Sequence, residues 1–527
     1  MTPDNHDALL DAAMKLHRLQ RPTSAETLLD HVLRKPGGPD RLSGFVGDAA
    51  GRGDTAVALL ALELIANDES DQKASRLTEA WETLAQSTTR RPMAPELFDA
   101  WLRHLPRDHT EPQGNPGADV CYVLALSLPQ SPSGYAMRTH YLATALGHRG
   151  LDLHCLTRPG FPKTAGADAP PGPKPVGPIT YHRCGGPDHP ARNDLAAFQA
   201  STAELLSRFR RIRPRVVMAA SNYANALPAF MAARQLGLPF VYDVRGFWEL
   251  SRVAREPLWA KSEAFANARA LESRIASQAD LVLTLTAPMR DELMARGVRP
   301  DRIRLLPNGA DPDRFAPRPR SAKLSRRFGL PDGVPVIGYV GSFVGYEGLD
   351  VLVAACATLV RRGRDFRLLL VGDEPQGKTD LRDALIQQAR DAGLRDRLIL
   401  PGRVPAEEAP DVYSLIDIAP IPRKAASVTR LVSPIKPLEA MSAARAVVVS
   451  DLAALTGIVE HGRTGMVFPA DDAEALARVL EALLDDPALR HELGERARHW
   501  VIAERSWATV AGLAHKALCE VMPGGAA

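Results

Sequence analysis

Cysteine is scarce: five in 527 residues, at Cys121, Cys155, Cys184, Cys356 and Cys519, with no CxxC or CxxH spacing. Such scatter argues against a disulfide framework or structural zinc and is compatible with a reducing compartment. Net charge is nearly absent too. Lys and Arg number 65 against 62 Asp and Glu, a formal charge of +3, where a general nucleic-acid binder carries a larger basic excess. No apolar run reaches the ~18 residues that a spanning helix needs. The opening MTPDNHDALLDAAMKLHRLQ has early acids and no apolar core, so no signal peptide is expected there. His154, His182 and His461 lack partners at metal-ligand spacing. What is present, 45% hydrophobic and 24% charged residues, describes a soluble cytoplasmic protein of more than one domain. One basic run, Arg208 to Arg215, reads as a solvated helix end, with a patch on an anionic membrane as the alternative.

Helical periodicity dominates residues 1–105, as in Leu9, Ala13 and Leu16, without a repeat of fixed period. Residues 106–118, rich in Pro and Gly, read as a linker. Short apolar runs then alternate with amphipathic segments. Strands are expected at Val120–Leu126, Leu153–Thr157, Val216–Ala219, Pro239–Val244, Leu281–Leu285 and Ile303–Leu306, with helices that include Ala260–Ala279 between them. A second series begins at Val336–Val340 and continues through Arg367–Val371, Leu398–Pro401 and Ile416–Pro420, with helices that include Lys378–Ala392. Strands separated by helices signal parallel, doubly wound sheets. The expected fold is α/β: two Rossmann-like domains, 119–318 and 319–505, facing a cleft behind the helical region. A last helix, within 506–527, is expected to pack back on the first domain. Ligands of such sheets bind beyond the carboxyl ends of the strands.

The stretch Ser433–Phe468 carries the strongest local signal. Lys436 and Glu439, three residues apart, share a helical face at a helix entrance. That pairing suits a ligand with a phosphate at one end and hydroxyls nearby, such as a nucleotide-sugar.

The order of motifs resembles the retaining, nucleotide-sugar-dependent glycosyltransferases of family 4, with the GT-B fold. The landmarks are ADLVLTLTAPMRDEL (Ala279–Leu293), LLPNGADPDRF (Leu305–Phe315), IGYVGSF and EGLD (Ile337–Asp350), LLLVGDEP (Leu368–Pro375), LILPGRVP (Leu398–Pro405) and KPLEAM with VVVSD and GIVEHGRTGMVF. The likeness runs from about Asp119 to Val521 and leaves the helical region outside. YDVRGFW (Tyr242–Trp248) and YEGLD (Tyr346–Asp350) resemble a branch that makes surface polysaccharides.

The resemblance implies that Glu439 receives the ribose hydroxyls of the donor, a task that suits a carboxylate with several acceptor sites. It also implies departures. Leu431 stands where the family has the first glutamate of a pair, so backbone groups of Leu431–Ser433, or another side chain, are expected to orient the sugar. Ser342 and Glu347 replace a usual arginine and lysine; Gly341 and Ser342 could still offer backbone amides to phosphate. Pro434 and Pro437 remove amide donors, so the diphosphate clamp falls to Lys436 and Arg423, with Lys424 and Arg430 near in sequence. Arg245 stands where many members have a histidine and is expected to meet an anion on donor or acceptor, or else to pair with Glu249. Gly134, Tyr135 and Asn222, with Tyr223, are the acceptor-side candidates. Asn308, Gly309 and Asp311 read as turn residues.

The function implied is sugar transfer from a UDP- or GDP-sugar to a glycan or lipid-linked acceptor in surface polysaccharide or glycoconjugate synthesis. It would be metal-independent, with no cofactor beyond the nucleotide-sugar and no nucleic-acid partner. The mechanism implied is front-face displacement, the leaving phosphate helping to deprotonate the acceptor hydroxyl. Further partners consistent with the sequence are a protein docked on residues 1–105 and a peripheral contact at the inner face of a membrane. Two other readings stand beside it: a non-catalytic nucleotide-sugar-binding scaffold and a GT-B nucleotide-sugar epimerase.

Overall fold

Continuous apolar runs make strands that are buried on both faces, the mark of parallel sheets covered by helices. Ala118–Leu124 (β1) is such a run, with six of its seven residues buried. A computed structural model describes residues 6–18, 22–34, 38–68, 73–89, 91–107, 116–163, 172–185, 193–374 and 380–523. Most of the expected linker and the start of the Lys378–Ala392 helix lie outside these residues.

The first sheet adds Leu153–Thr157 (β2), Gly172–Val176 (β3), Ile179–Arg183 (β4), Pro214–Ala220 (β5), Phe240–Val244 (β6), Leu281–Thr284 (β7) and Ile303–Leu305 (β8). Its order is β3-β4-β2-β1-β5-β6-β7-β8. All neighbours are parallel except β3 with β4, an edge hairpin that the sequence reading did not anticipate. The reason is chemical: β3 reads GPKPV, and proline is tolerated only at an edge, where the missing N–H faces no partner. The second sheet is wholly parallel. It comprises Val336–Val340 (β9), Arg367–Val371 (β10), Leu398–Gly402 (β11), Ile418–Ile421 (β12), Ala446–Ser450 (β13) and Met466–Phe468 (β14), in the order β11-β10-β9-β12-β13-β14.

The expected helix Ala260–Ala279 is instead a 3-10 turn, Pro257–Lys261, and a helix, Glu263–Gln278. Ser262 breaks it: its hydroxyl accepts from the Phe265 amide at 3.2 Å and caps the second piece.

Among the described residues the N-terminal region holds six helices and no strand. It shares a core with the first sheet: Leu97 and Phe98 join Phe230, Phe240 and Tyr242 in one apolar cluster, and Arg274 pairs with Asp99 at 2.8 Å. The final helix, Trp507–Cys519, lies on the other face of that sheet, with Val510, Ala514 and Leu518 packed among Tyr122, Leu142 and Met218.

The strand ends of the two sheets meet directly. Thr286, after β7, donates to the Leu431 carbonyl at 2.6 Å, and the Asn308 amide donates to the Ser433 carbonyl at 2.8 Å. Among the described residues no helix is long and apolar enough to cross a membrane.

Candidate active site

Lys436 opens a short helix, Lys436–Ser442, and its side chain passes back over the end of β9. Gly341 makes that passage possible. Its φ is +151°, and a Cβ there would lie 2.2 Å from the lysine Cε; only glycine fits. The ammonium reaches the Glu347 carboxylate at 3.0 Å and the Tyr339 hydroxyl at 2.7 Å. Arg423, after β12, grips the same carboxylate through two nitrogens, at 2.8 and 3.3 Å, and donates to the Val432 carbonyl at 2.9 Å.

Burial alone would raise the Glu347 carboxyl, but Arg423 and Lys436 overcome it and hold it at about 2. Burial, with Arg423 beside it, lowers the Lys436 ammonium against the pull of Glu347. The cluster is therefore two cations around one carboxylate, with one positive charge in surplus. Side-chain exposure rises from 5% at Glu347 to 9% at Arg423 and 19% at Lys436, so the cations stand outside their counterion. One turn on, Glu439 accepts from the Tyr413 hydroxyl at 3.2 Å; burial raises its carboxyl, with Tyr413, Arg314 and Lys436 opposing.

Other expected positions fare differently. Ser342 is exposed, and its carbonyl accepts from Tyr339 at 3.1 Å. Arg430 is exposed on the short helix Ser427–Leu431. Lys424 pairs with Asp350. Leu431 packs against the core of the first domain. The carbonyls of Leu431, Val432 and Ser433 already accept from Thr286, Arg423 and Asn308. That stretch fastens the domains together. Asn308 is likewise more than a turn residue.

Arg245 is not paired with Glu249, which binds Arg296 at 2.8 Å. Its partner is Asp243 at 2.7 Å. The remaining nitrogens donate to the Tyr135 carbonyl at 3.0 Å, to Thr139 at 2.7 Å and to the Tyr122 hydroxyl. With every nitrogen engaged and 3% of the residue exposed, Arg245 fixes a loop. Gly134 opens the helix Gly134–Gly147, capped by Ser133, and Tyr135 meets the Trp248 ring edge at 5.4 Å. Asn222 caps the helix Tyr223–Gln235 with its side chain unspent.

Sequence reasoning took Glu347 as a mere mismatch. It is the counterion that aims both cations, and no local signal reveals this, because 76 and 89 positions separate it from Arg423 and Lys436. Among the described residues no cluster of His, Cys, Asp or Glu could hold a metal ion.

Two Rossmann-like domains with strand ends meeting around a partly neutralised cation pair define the GT-B architecture. Comparison with known proteins agrees: residues 133–309 match the model of a glycosyl transferase 4-like domain, and residues 321–500 that of glycosyl transferases group 1. An alpha-D-kanosaminyltransferase of Streptomyces kanamyceticus is 31% identical over 277 residues, 52% of this chain and 68% of that protein. A D-inositol 3-phosphate glycosyltransferase of Gordonia bronchialis is 27% identical over 411 residues, 76% of this chain and 84% of that one. The solved structure of Anabaena HepE in complex with UDP and glucose superposes with a TM-score of 0.60 at 16% identity, covering 76% of this chain and all of that one. The chain belongs to the family 4 GT-B glycosyltransferases and is a glycosyltransferase enzyme. Residues 1–132 lie outside both family models.

Proposed function

We propose that the enzyme transfers a sugar, with retention of configuration, from a UDP- or GDP-sugar to a glycan or lipid-linked acceptor, in surface polysaccharide or glycoconjugate synthesis. The observation that carries the reading is the surplus positive charge of Lys436 and Arg423, held by Glu347 beside Glu439 at the strand ends. As the bond from the sugar to the β-phosphate breaks, its electron pair leaves with the phosphate, and fixed cations there favour the transition state most. Lys436 and Arg423 take that charge, Glu439 receives the ribose hydroxyls, and the backbone at Gly341 and Ser342 borders the phosphates. The acceptor oxygen forms the new bond on the same face, its proton passing to the departing phosphate. The UDP of the Anabaena structure, which shares the fold, makes uridine the first base to test.

The experiment is a thermal-shift screen against UDP- and GDP-sugars, because a ligand that binds only the folded chain raises its apparent stability. A shift with one nucleotide-sugar that is lost in Lys436→Met and Glu439→Ala is the expected result. Equal shifts in parent and variants would remove both residues from the donor site. Incubation of the bound donor with and without glycan acceptors then separates transfer from epimerisation and from silent binding.

A further inference from the structure

A cavity of about 460 Å³ opens at the seam between the helical region and the first Rossmann domain. That volume falls within the range of small-molecule sites. Arg91 to Met93 form one wall, set in place by the Met93 amide, which donates to the Asn193 carbonyl at 2.6 Å. Asn222 and Trp248, just beyond the carboxyl ends of β5 and β6, also line it, where sheets of this kind hold ligands.

The lining has an inner and an outer chemistry. Inside, the side-chain amides of Asn222 and Asn267, both half-buried, have no partner among the described residues. Carboxamides that are free both to donate and to accept, beside the aromatic surface of Trp248, match the hydroxyls and C–H faces of a polyol ring. Three carboxylates are also there, and none offers free negative charge. Asp194 is buried and accepts from the Ala197 amide at 2.9 Å. Glu249 is bound to Arg296. Glu272 accepts from the Tyr223 amide at 2.6 Å and from the Tyr242 hydroxyl; burial and the neighbouring Glu249 raise its carboxyl well above the ordinary range.

At the mouth the balance is positive. Arg91 and Arg255 are exposed, and neither has a carboxylate partner among the described residues. Arg91 donates to the Ala50 and Gly51 carbonyls at 2.7 and 3.0 Å, and Arg255 to the Ser251 carbonyl at 3.2 Å. Each guanidinium keeps donors to spare, in the planar fork that matches phosphate and carboxylate.

We propose that this cavity is the acceptor site and that it takes a polyhydroxylated ring bearing an anionic group. The ring hydroxyls meet Asn222 and Asn267, and the anion meets Arg91 and Arg255. The helical region, which lies outside both family models, thereby becomes part of acceptor selection. The inference rests on the sugar-transfer reading for what happens to the bound ring.

The test is a ligand-observed NMR titration of the full chain with glucose 6-phosphate, glucuronate and glucose, repeated on the double variant Arg91→Gln, Arg255→Gln. The two anionic probes are expected to bind about tenfold more tightly than glucose, and the double variant to bring all three within about twofold of one another. Equal binding of glucose, a preference that survives in the double variant, or no binding of any probe overturns the proposal. The nucleotide-sugar shifts, measured on the same samples, keep the two readings apart. A chain that binds a nucleotide-sugar but treats the three probes alike loses only the acceptor proposal. One that discriminates among the probes yet binds no nucleotide-sugar loses the transfer reading.

Discussion

The two Rossmann domains each bury a carboxylate between two cations and a tyrosine hydroxyl. In the first domain Asp243 lies between Arg245 at 2.7 Å and Arg138 at 3.8 Å, with Tyr122 donating to it. In the second, Glu347 lies between Arg423 and Lys436, with Tyr339 accepting from the lysine. Formal charge is the same, one positive in surplus. The difference lies in where the spare donors point. Arg138 gives its donors to the Leu306 and Pro307 carbonyls and to Asn308, and Arg245 gives its own to Tyr135 and Thr139. None of the three charged residues exceeds 3% exposure. Lys436, by contrast, keeps a donor and an exposed face. One cluster fastens loops; the other, in the reading proposed above, receives an incoming anion. Net charge alone does not distinguish them.

Asp243→Asn should cause the most damage, because it strands two guanidiniums away from water. Breaking a buried pair in this way costs about 3–5 kcal/mol. Urea unfolding should show a lower midpoint with an unchanged slope. A loss within experimental error would mean that water or another acceptor reaches Arg138 and Arg245.

Lys436→Met should do the reverse, sparing the fold and removing chemistry. Turnover should fall by about 10²–10³-fold, the usual consequence of deleting one group that faces developing negative charge. Stability should change by no more than about 1 kcal/mol. If turnover holds and stability collapses, the second cluster is a fastening like the first.

Glu347→Gln probes the counterion through pH. Groups facing Lys436 are Glu347, Arg423, Tyr339 and Glu439. In the proposed reading Lys436 acts while protonated, so activity should fall on the alkaline side as pH rises through its pKa. Removing Glu347 withdraws the main support of the ammonium, and the alkaline limb of kcat/KM should move to lower pH. Stability has the opposite sense. With a folded value of about 2 against an ordinary 4.5, Glu347 stabilises fully above about 4.5 and loses that contribution as pH falls towards about 2. The gap in stability between parent and variant should narrow on acidification. An unmoved alkaline limb would show that Glu347 only props the loop.

Much of this was legible in advance. The alternation of strands with helices has a period, and the landmarks recur in order, so both domains could be read along the chain. The edge hairpin was lost because Pro173 and Pro175 look like loop residues unless the strand is known to be an edge. The clusters were lost for a different reason. Asp243 meets Arg138 across 105 positions, and Glu347 meets Lys436 across 89, so only folding brings them together. The use of Leu431 as an apolar contact between domains needed the partner surface.

Arg430 tests the comparison from outside, since it is a nearby cation that neither cluster holds. It is exposed on Ser427–Leu431, while its neighbour Thr429 is buried and donates back to the Lys424 carbonyl at 2.5 Å. A solvated charge of that kind is screened by salt within about 8 Å at physiological ionic strength. It also keeps the rotamer freedom that Arg423 has given up to Glu347 and Val432. Arg430→Ala should therefore raise the donor KM by no more than about twofold and leave kcat alone, well below the loss from Lys436→Met. A rise of about tenfold would be worth about 1.4 kcal/mol, more than a screened surface charge supplies. It would mean that the short helix turns on donor binding and adds a third cation to Lys436 and Arg423, so that the clamp is completed only in the bound state.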